Sequence, residues 1–224
     1  MSGFRPPQAV AVTVMVVSAA SVAAPGSALA AALSRPRVQL TFGLLTGLTS
    51  RDASLADYQW DVKPRAAWGT HLLAGIGRFE GGLRLWQAST TQSLDAASAT
   101  SPTVRATSIE VVAHARVGTF MGTQFLAVAS TGQLHLGYHP DRIDVDLGTG
   151  SPVTVDFAPI DEWIAGAGFA LRRPLPGPWT VALEMDRRVF RLDTAHREGN
   201  AVVLGRESFG EWNAQLALDW QLRR

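Results

Sequence analysis

Over most of its length the chain alternates apolar and polar residues with a period of two. The last stretch is the clearest: Trp212, Ala214, Leu216, Leu218, Trp220 and Leu222 alternate with Glu211, Asn213, Gln215, Ala217, Asp219 and Gln221. Successive side chains of a strand point to opposite faces, so this spacing makes one apolar face and one mostly polar face. Ile109, Val111, Ala113, Ala115 and Val117 alternate with Glu110, Val112, His114, Arg116 and Gly118 in the same way. Near the start, Val38, Leu40, Phe42 and Leu44 alternate with Gln39, Thr41, Gly43 and Leu45. The pattern predicts eight strands, at about 37–49, 66–78, 79–89, 107–119, 123–139, 162–172, 179–192 and 208–222. Most are ten residues or longer, whereas strands of soluble proteins peak near five or six. A tilted strand that crosses a bilayer needs about 9–11 residues.

The connections sharpen this expectation. Gly77–Gly82, Phe120–Gly122 and Arg173–Pro178 are tight, while Ser50–Arg65, Thr90–Ala106, Pro140–Asp161 and Asp193–Glu207 are long. Strict alternation of short turns and long loops is the layout of an outer-membrane barrel, with turns periplasmic and loops extracellular. A soluble β-sandwich also alternates along its strands, but its turn lengths have no reason to do so. Aromatic placement agrees: Trp68, Tyr138, Trp163 and Trp212 fall near loop-side strand ends on the apolar face, and Phe79, Trp179 and Trp220 near turn-side ends. Amphipathic rings favour the two membrane–water interfaces. The fold class expected is all-β, an eight-stranded antiparallel up-and-down transmembrane β-barrel.

The first thirty residues have a different character. Arg5 is the one charge before an apolar or small-residue run, Ala9–Ala24, and Ala28-Leu29-Ala30 closes it. These are the parts of a secretory signal peptide. Residues 1–30 are therefore read as a leader cleaved after Ala30, and residues 31–224 as the barrel domain of an exported protein of the cell outer membrane. No later window reaches the 18 apolar residues of a membrane-spanning helix.

Composition mainly excludes. With 20 Lys+Arg against 19 Asp+Glu the net charge is +1, so no broad basic face is available for nucleic acid. The chain has no cysteine, which removes disulfides, thiolate metal sites and thiol nucleophiles.

On these strands and turns the chain resembles the small eight-stranded outer-membrane barrels of Gram-negative bacteria, the families typified by outer-membrane proteins A, X and W. The resemblance covers about residues 37–222 and rests on architecture. The final strand, ending Trp220-Gln221-Leu222, resembles the recognition signal of that group, although the chain then closes on Arg223-Arg224 instead of a terminal aromatic. The resemblance implies outer-membrane lipid, lipopolysaccharide and the outer-membrane insertion machinery as partners.

If the apolar face meets lipid, the other face lines the lumen. It would hold Gln39, Thr41, His71, Arg84, Trp86, Glu110, His114, Arg116, Thr131, Gln133, His135, Glu184, Asp186, Arg188, Glu211, Asn213, Gln215 and Asp219. Within that set Arg84, Glu110, His114, Arg116, Glu184, Asp186, Arg188, Glu211 and Asp219 form the expected polar network. An eight-stranded barrel is just wide enough for side chains to fill, so a plugged core outweighs a narrow channel or ligand pocket. Gly43, Gly47, Gly69, Gly75, Gly166 and Gly168 also fall on this face and either make room for large neighbours or leave a cavity. Catalytic patterns are weak. Ser130 lies on the lipid-facing parity with no His beside it, and His139 with Asp141 is an ordinary loop pair. Asp144 and Asp146 lack the remaining ligands of a calcium loop. Ile143, Val145 and Leu147, a Gly148–Ser151 turn and then Val153, Val155 and Phe157 predict instead a hairpin standing above the membrane. The expectation is a non-enzymatic barrel with neither metal nor cofactor, structural or acting through four long loops toward an extracellular partner. A channel or small-ligand barrel, and a lipid A-modifying enzyme, are the alternatives.

Overall fold

A computed structural model describes residues 38–93, 100–145, 152–198 and 201–223. The expected leader lies outside them. The described chain is built from ten strands and one short helix. These are β1 (Val38–Arg51), a 3-10 helix η1 (Ala53–Tyr58), β2 (Arg65–Ile76), β3 (Phe79–Thr91), β4 (Thr103–Phe120), β5 (Thr123–His139), β6 (Arg142–Val145), β7 (Val153–Asp156), β8 (Ile160–Pro174), β9 (Trp179–Glu198) and β10 (Ala201–Arg223). Eight of them close into one antiparallel ring in the order β1-β10-β9-β8-β5-β4-β3-β2, and β6 pairs with β7 alone. Every ring neighbour is a neighbour in sequence once that hairpin is set aside, apart from the closing pair β1–β10, whose register runs from Gln39↔Arg223 to Arg51↔Glu211. A closed ring leaves no unpaired strand edge.

The tight turns follow from local chemistry. Between β4 and β5, Met121 and Gly122 have φ of 48° and 78°, so two left-handed residues make a compact hairpin that suits the twist of the strands. On the opposite side the connections are more structured than their composition predicts. The first folds into η1. The third carries the β6–β7 hairpin, as expected, with Ile143↔Val155 and Val145↔Val153 facing each other. The fourth differs from expectation: β9 and β10 remain paired from Glu207↔Leu192 out to Ala201↔Glu198, so most of Asp193–Glu207 is strand. Alternation continues there through Leu192, Thr194 and Glu207, so nothing stops the ladder.

Burial is inverted relative to a water-soluble domain. Leu44, Leu72, Leu83, Ile109 and Trp163 are all more than half exposed on the outer wall, whereas Arg84, Arg172 and Arg188 are 1–2% exposed inside it. Water-soluble proteins seldom show contiguous apolar patches of this extent, and lipid solvates them instead. On β10 the outward Trp212 and Trp220 are eight residues apart, about 26 Å along the strand at ~3.3 Å per residue. At the roughly 35–45° tilt of barrel strands this is about 20 Å of height, most of an apolar band that aromatic girdles bound on both sides.

Candidate functional site

The interior holds a polar network in its middle, bordered by small apolar clusters such as that of Leu73, Val112, Leu126, Val128 and Ala170. A larger apolar layer lies above it on the loop side. In the middle, Arg84 of β3 meets three carboxylates: Glu110, its direct partner on the neighbouring β4, and Glu184 and Asp186 across the barrel axis on β9. One guanidinium nitrogen donates to Glu184 of β9, and the other to Glu110 Oε2 at 2.7 Å and Asp186 Oδ2 at 2.8 Å. Arg188 of β9 donates to Glu110 Oε1 at 2.7 Å, has its Nε 3.2 Å from Glu211 Oε1, and stacks over the Trp86 ring at 5.7 Å. Glu110 is thus held between two guanidinium groups from opposite walls and also accepts from Ser108 Oγ at 2.6 Å. Toward the turns, Arg172 of β8 donates to both oxygens of Glu80 at 2.7 and 2.6 Å. Its Nε lies 3.6 Å from Asp219, and Asp219 Oδ1 is 2.9 Å from His71 Nε2. His114 stands 3.6 Å from Glu184 and 3.7 Å from Glu80, linking the two groups of ion pairs.

Glycines make this layer fit. A Cβ on Gly43 would lie 2.2 Å from His71 Nε2 and 2.3 Å from Asp219 Oδ1, and one on Gly166 would lie 2.7 Å from Arg188 Cγ. The lumenal glycines therefore make room for large polar neighbours. A turn-side cavity of about 70 Å³ lies beside Glu80, Arg116 and Gln221. Neither end of the buried Asn213 amide finds a hydrogen-bond partner among the described residues. Among those residues no group of three or more His, Asp or Glu side chains is arranged to hold a metal ion.

Above this layer the lumen turns apolar. Val104, Ala106, Leu134, Leu136, Ile164, Phe190, Leu192 and Phe209 point inward from the strands and meet Leu55 and Trp60 from the β1–β2 connection. That connection is tied into the mouth by its own backbone. Asp52 caps η1 by accepting from Ser54 N at 3.1 Å, and its second oxygen accepts from Gly210 N at 3.1 Å. These backbone bonds hold the Asp52 carboxyl below its ordinary pKa. Asp61 N donates to Thr91 O at 2.8 Å, and Ser93 N to Gln59 O at 2.7 Å. Beside the strap lies a recess of about 470 Å³.

No family model and no curated protein matches the chain. Solved structures do. Neisserial surface protein A is 12% identical, covering 80% of this chain and 95% of its own at a TM-score of 0.42. Ail, the attachment invasion locus protein of Yersinia pestis, is 10% identical, covering 84% and 100% at 0.41. The outer membrane protein AlkL is 9% identical, covering 85% and 92% at 0.48. The likeness is one of fold.

Of the residues expected in the lumenal network, Arg84, Glu110, His114, Glu184, Asp186, Arg188, Glu211 and Asp219 are buried inside the ring. Arg116 is not among them: it stands half-buried at the turn-side rim and donates to Gly77 O at 3.0 Å, next to a register shift between Arg116 and Gly118. Strand β5 has the opposite phase to the one expected. Thr131, Gln133 and His135 face outward, His135 lying 2.7 Å from Asp161 on the exposed side. Ser130, expected toward lipid, faces inward and accepts from Arg84 at 3.3 Å. Directly paired residues share a face, and Glu110 pairs with Gly132, which sends the even positions of β5 inside. The same phase carries Tyr138 inward, where it stacks on Phe157 at 5.2 Å instead of joining the outer aromatics. Trp68, Trp163, Trp179, Trp212 and Trp220 are 40–68% exposed on the outer wall. Sequence reasoning missed Arg172 and Glu80. Parity could have found both, because Arg172 lies on the face of Gly166 and Gly168, and Glu80 on that of Arg84 and Trp86.

Proposed function

We propose that this chain is an integral outer-membrane barrel. Its polar interior seals and stiffens the wall, and its loop-side elements act structurally or by meeting an extracellular partner. The inverted burial carries this reading: arginines and carboxylates pair across the axis while leucine, isoleucine and tryptophan cover the outside. Such a wall is stable where lipid replaces water and unstable where it does not. Ion pairs from opposite strands occupy the middle layer, which supports a sealed lumen over an ion path. The β6–β7 hairpin and the paired extension of β9–β10 give the loop side stiff projections suited to contact with another macromolecule. Lipopolysaccharide and the insertion machinery are the partners such a placement requires. The reading is non-enzymatic.

The test is fractionation with electrophysiology. The chain should partition with outer membranes, resist carbonate extraction and migrate faster on gels before boiling than after. In planar bilayers it should give no discrete openings. Solubility without detergent would overturn the membrane reading, and well-resolved unitary conductance would overturn the sealed one.

A further inference from the structure

We propose that the loop-side recess binds a small organic cation with an apolar body. This goes beyond the structural and surface-contact reading and needs only that the barrel be folded. The recess, at about 470 Å³, falls in the range of about 300–1,000 Å³ typical of small-molecule sites. Its walls are Leu55, Tyr58, Trp60, Tyr138, Leu192 and Phe209, and its rim carries Asp57. Asp193 touches it only from the outer face of β9, where its side chain pairs with Arg206. Among the described residues no Lys, Arg or His lines it.

Two features select charge. Tyr58 and Phe209 pack edge to face with centroids 5.8 Å apart, and the Asp57 carboxylate stands at the rim beside them. Ring faces attract cations, most strongly where water is displaced. Behind the wall, Glu207 Oε1 accepts from Tyr58 Oη at 2.6 Å and from Thr194 Oγ1 at 3.1 Å. That bond pushes the Tyr58 hydroxyl above its ordinary pKa, and it places a second carboxylate close to the site. Arg51 stacks against the Trp60 ring at 5.5 Å but does not itself line the recess. An anion would meet Asp57 and Glu207 there, and a purely polar solute would leave the aromatic walls unsatisfied. The site is also held in shape before any ligand arrives, because Leu55 and Trp60 are buried and the strap is bonded to β3 and β10.

The probes are phenyltrimethylammonium, its neutral isostere tert-butylbenzene, and benzoate, each titrated against the full chain in nonionic micelles. Binding is read by aromatic-region NMR shifts and by tryptophan fluorescence. The expected result is saturable shifts at Tyr58, Trp60, Tyr138 and Phe209, with the ammonium bound about tenfold more tightly than the isostere and benzoate not bound. Asp57→Asn should lose several-fold affinity for the ammonium and keep that for tert-butylbenzene, whereas Asp193→Asn, on the outer face of β9, should change neither. Heat-modifiable gel mobility confirms that each variant is folded, and unaltered mobility of the parent separates failure of this proposal from failure of the barrel reading. Equal binding of the isostere, binding of benzoate, or no saturable shift with the ammonium would each overturn the proposal.

Discussion

The middle and the mouth of the lumen solve the same packing problem with opposite chemistry. In the middle, three buried arginines are matched by carboxylates from strands across the ring, so wall-to-wall contact is electrostatic and directional. At the mouth, aliphatic and aromatic side chains from five strands close over Leu55 and Trp60, and contact is by dispersion and burial. Around the middle, the arginines and carboxylates face inward beside a few apolar residues such as Val112 and Val128. Toward the loop side the phase holds, so Thr131, Gln133 and His135 turn out and Leu134 and Leu136 turn in. One strand, β5, passes through both regimes without changing its phase.

If the middle layer is held by charge, removing one cation should cost most. Arg84→Met leaves Glu110, Glu184 and Asp186 facing one another without their shared partner, and losing one member of a buried ion pair costs about 3–5 kcal/mol. Urea unfolding in micelles should show that loss, and adding Glu110→Gln should recover part of it. A double variant no more stable than the single one would show that charge does not hold this layer.

The mouth should respond more locally. Leu55→Ala removes a fully buried anchor, a change that costs about 2–5 kcal/mol when the cavity cannot collapse. Because the strap is tethered to the rim and not woven into the ring, the cost should appear as faster amide exchange at residues 53–61. Exchange in the β1–β10 ladder should stay as it was. Uniform loosening of both would mean that mouth and middle form one cooperative unit.

The smallest effect concerns pH. Asp52 has a folded pKa below its unfolded one because Ser54 and Gly210 donate to the ionised form. Its contribution is therefore present above the unfolded pKa, near 4, and fades as pH falls through the folded value. Asp52→Ala should cost about 1 kcal/mol, whereas Asp52→Asn should remove this dependence at little cost in stability at neutral pH, because Asn caps about as well as Asp. Exchange of the strap amides between pH 5 and pH 3 measures it. An unchanged acid profile in the variant would detach the cap from the anchoring of the mouth.

The alternation of Trp212 to Leu222 and of Ile109 to Val117, with turns such as Met121-Gly122, was enough to place all eight ring strands and to say which face meets lipid on seven of them. Local periodicity carries that information because a strand exposes one face to each side of the wall, and chain length between strands dictates which neighbours can pair. Strand β5 was illegible alone, since both of its faces mix polar and apolar residues; only pairing of Gly132 with Glu110 decides its phase. Glu110 faces Arg84 directly in the β3–β4 ladder, but Glu184 and Asp186 lie 100 and 102 residues away, and no local pattern specifies that a guanidinium will meet them. The same holds for the strap that inserts Leu55 and Trp60 into the mouth, which in sequence is an ordinary polar loop. The sequence by itself determined a closed, lipid-facing wall, because alternation and length are local properties. Which charges meet inside that wall, and the recess at its mouth, were decided only by closure of the ring, which brings distant strands within hydrogen-bond reach.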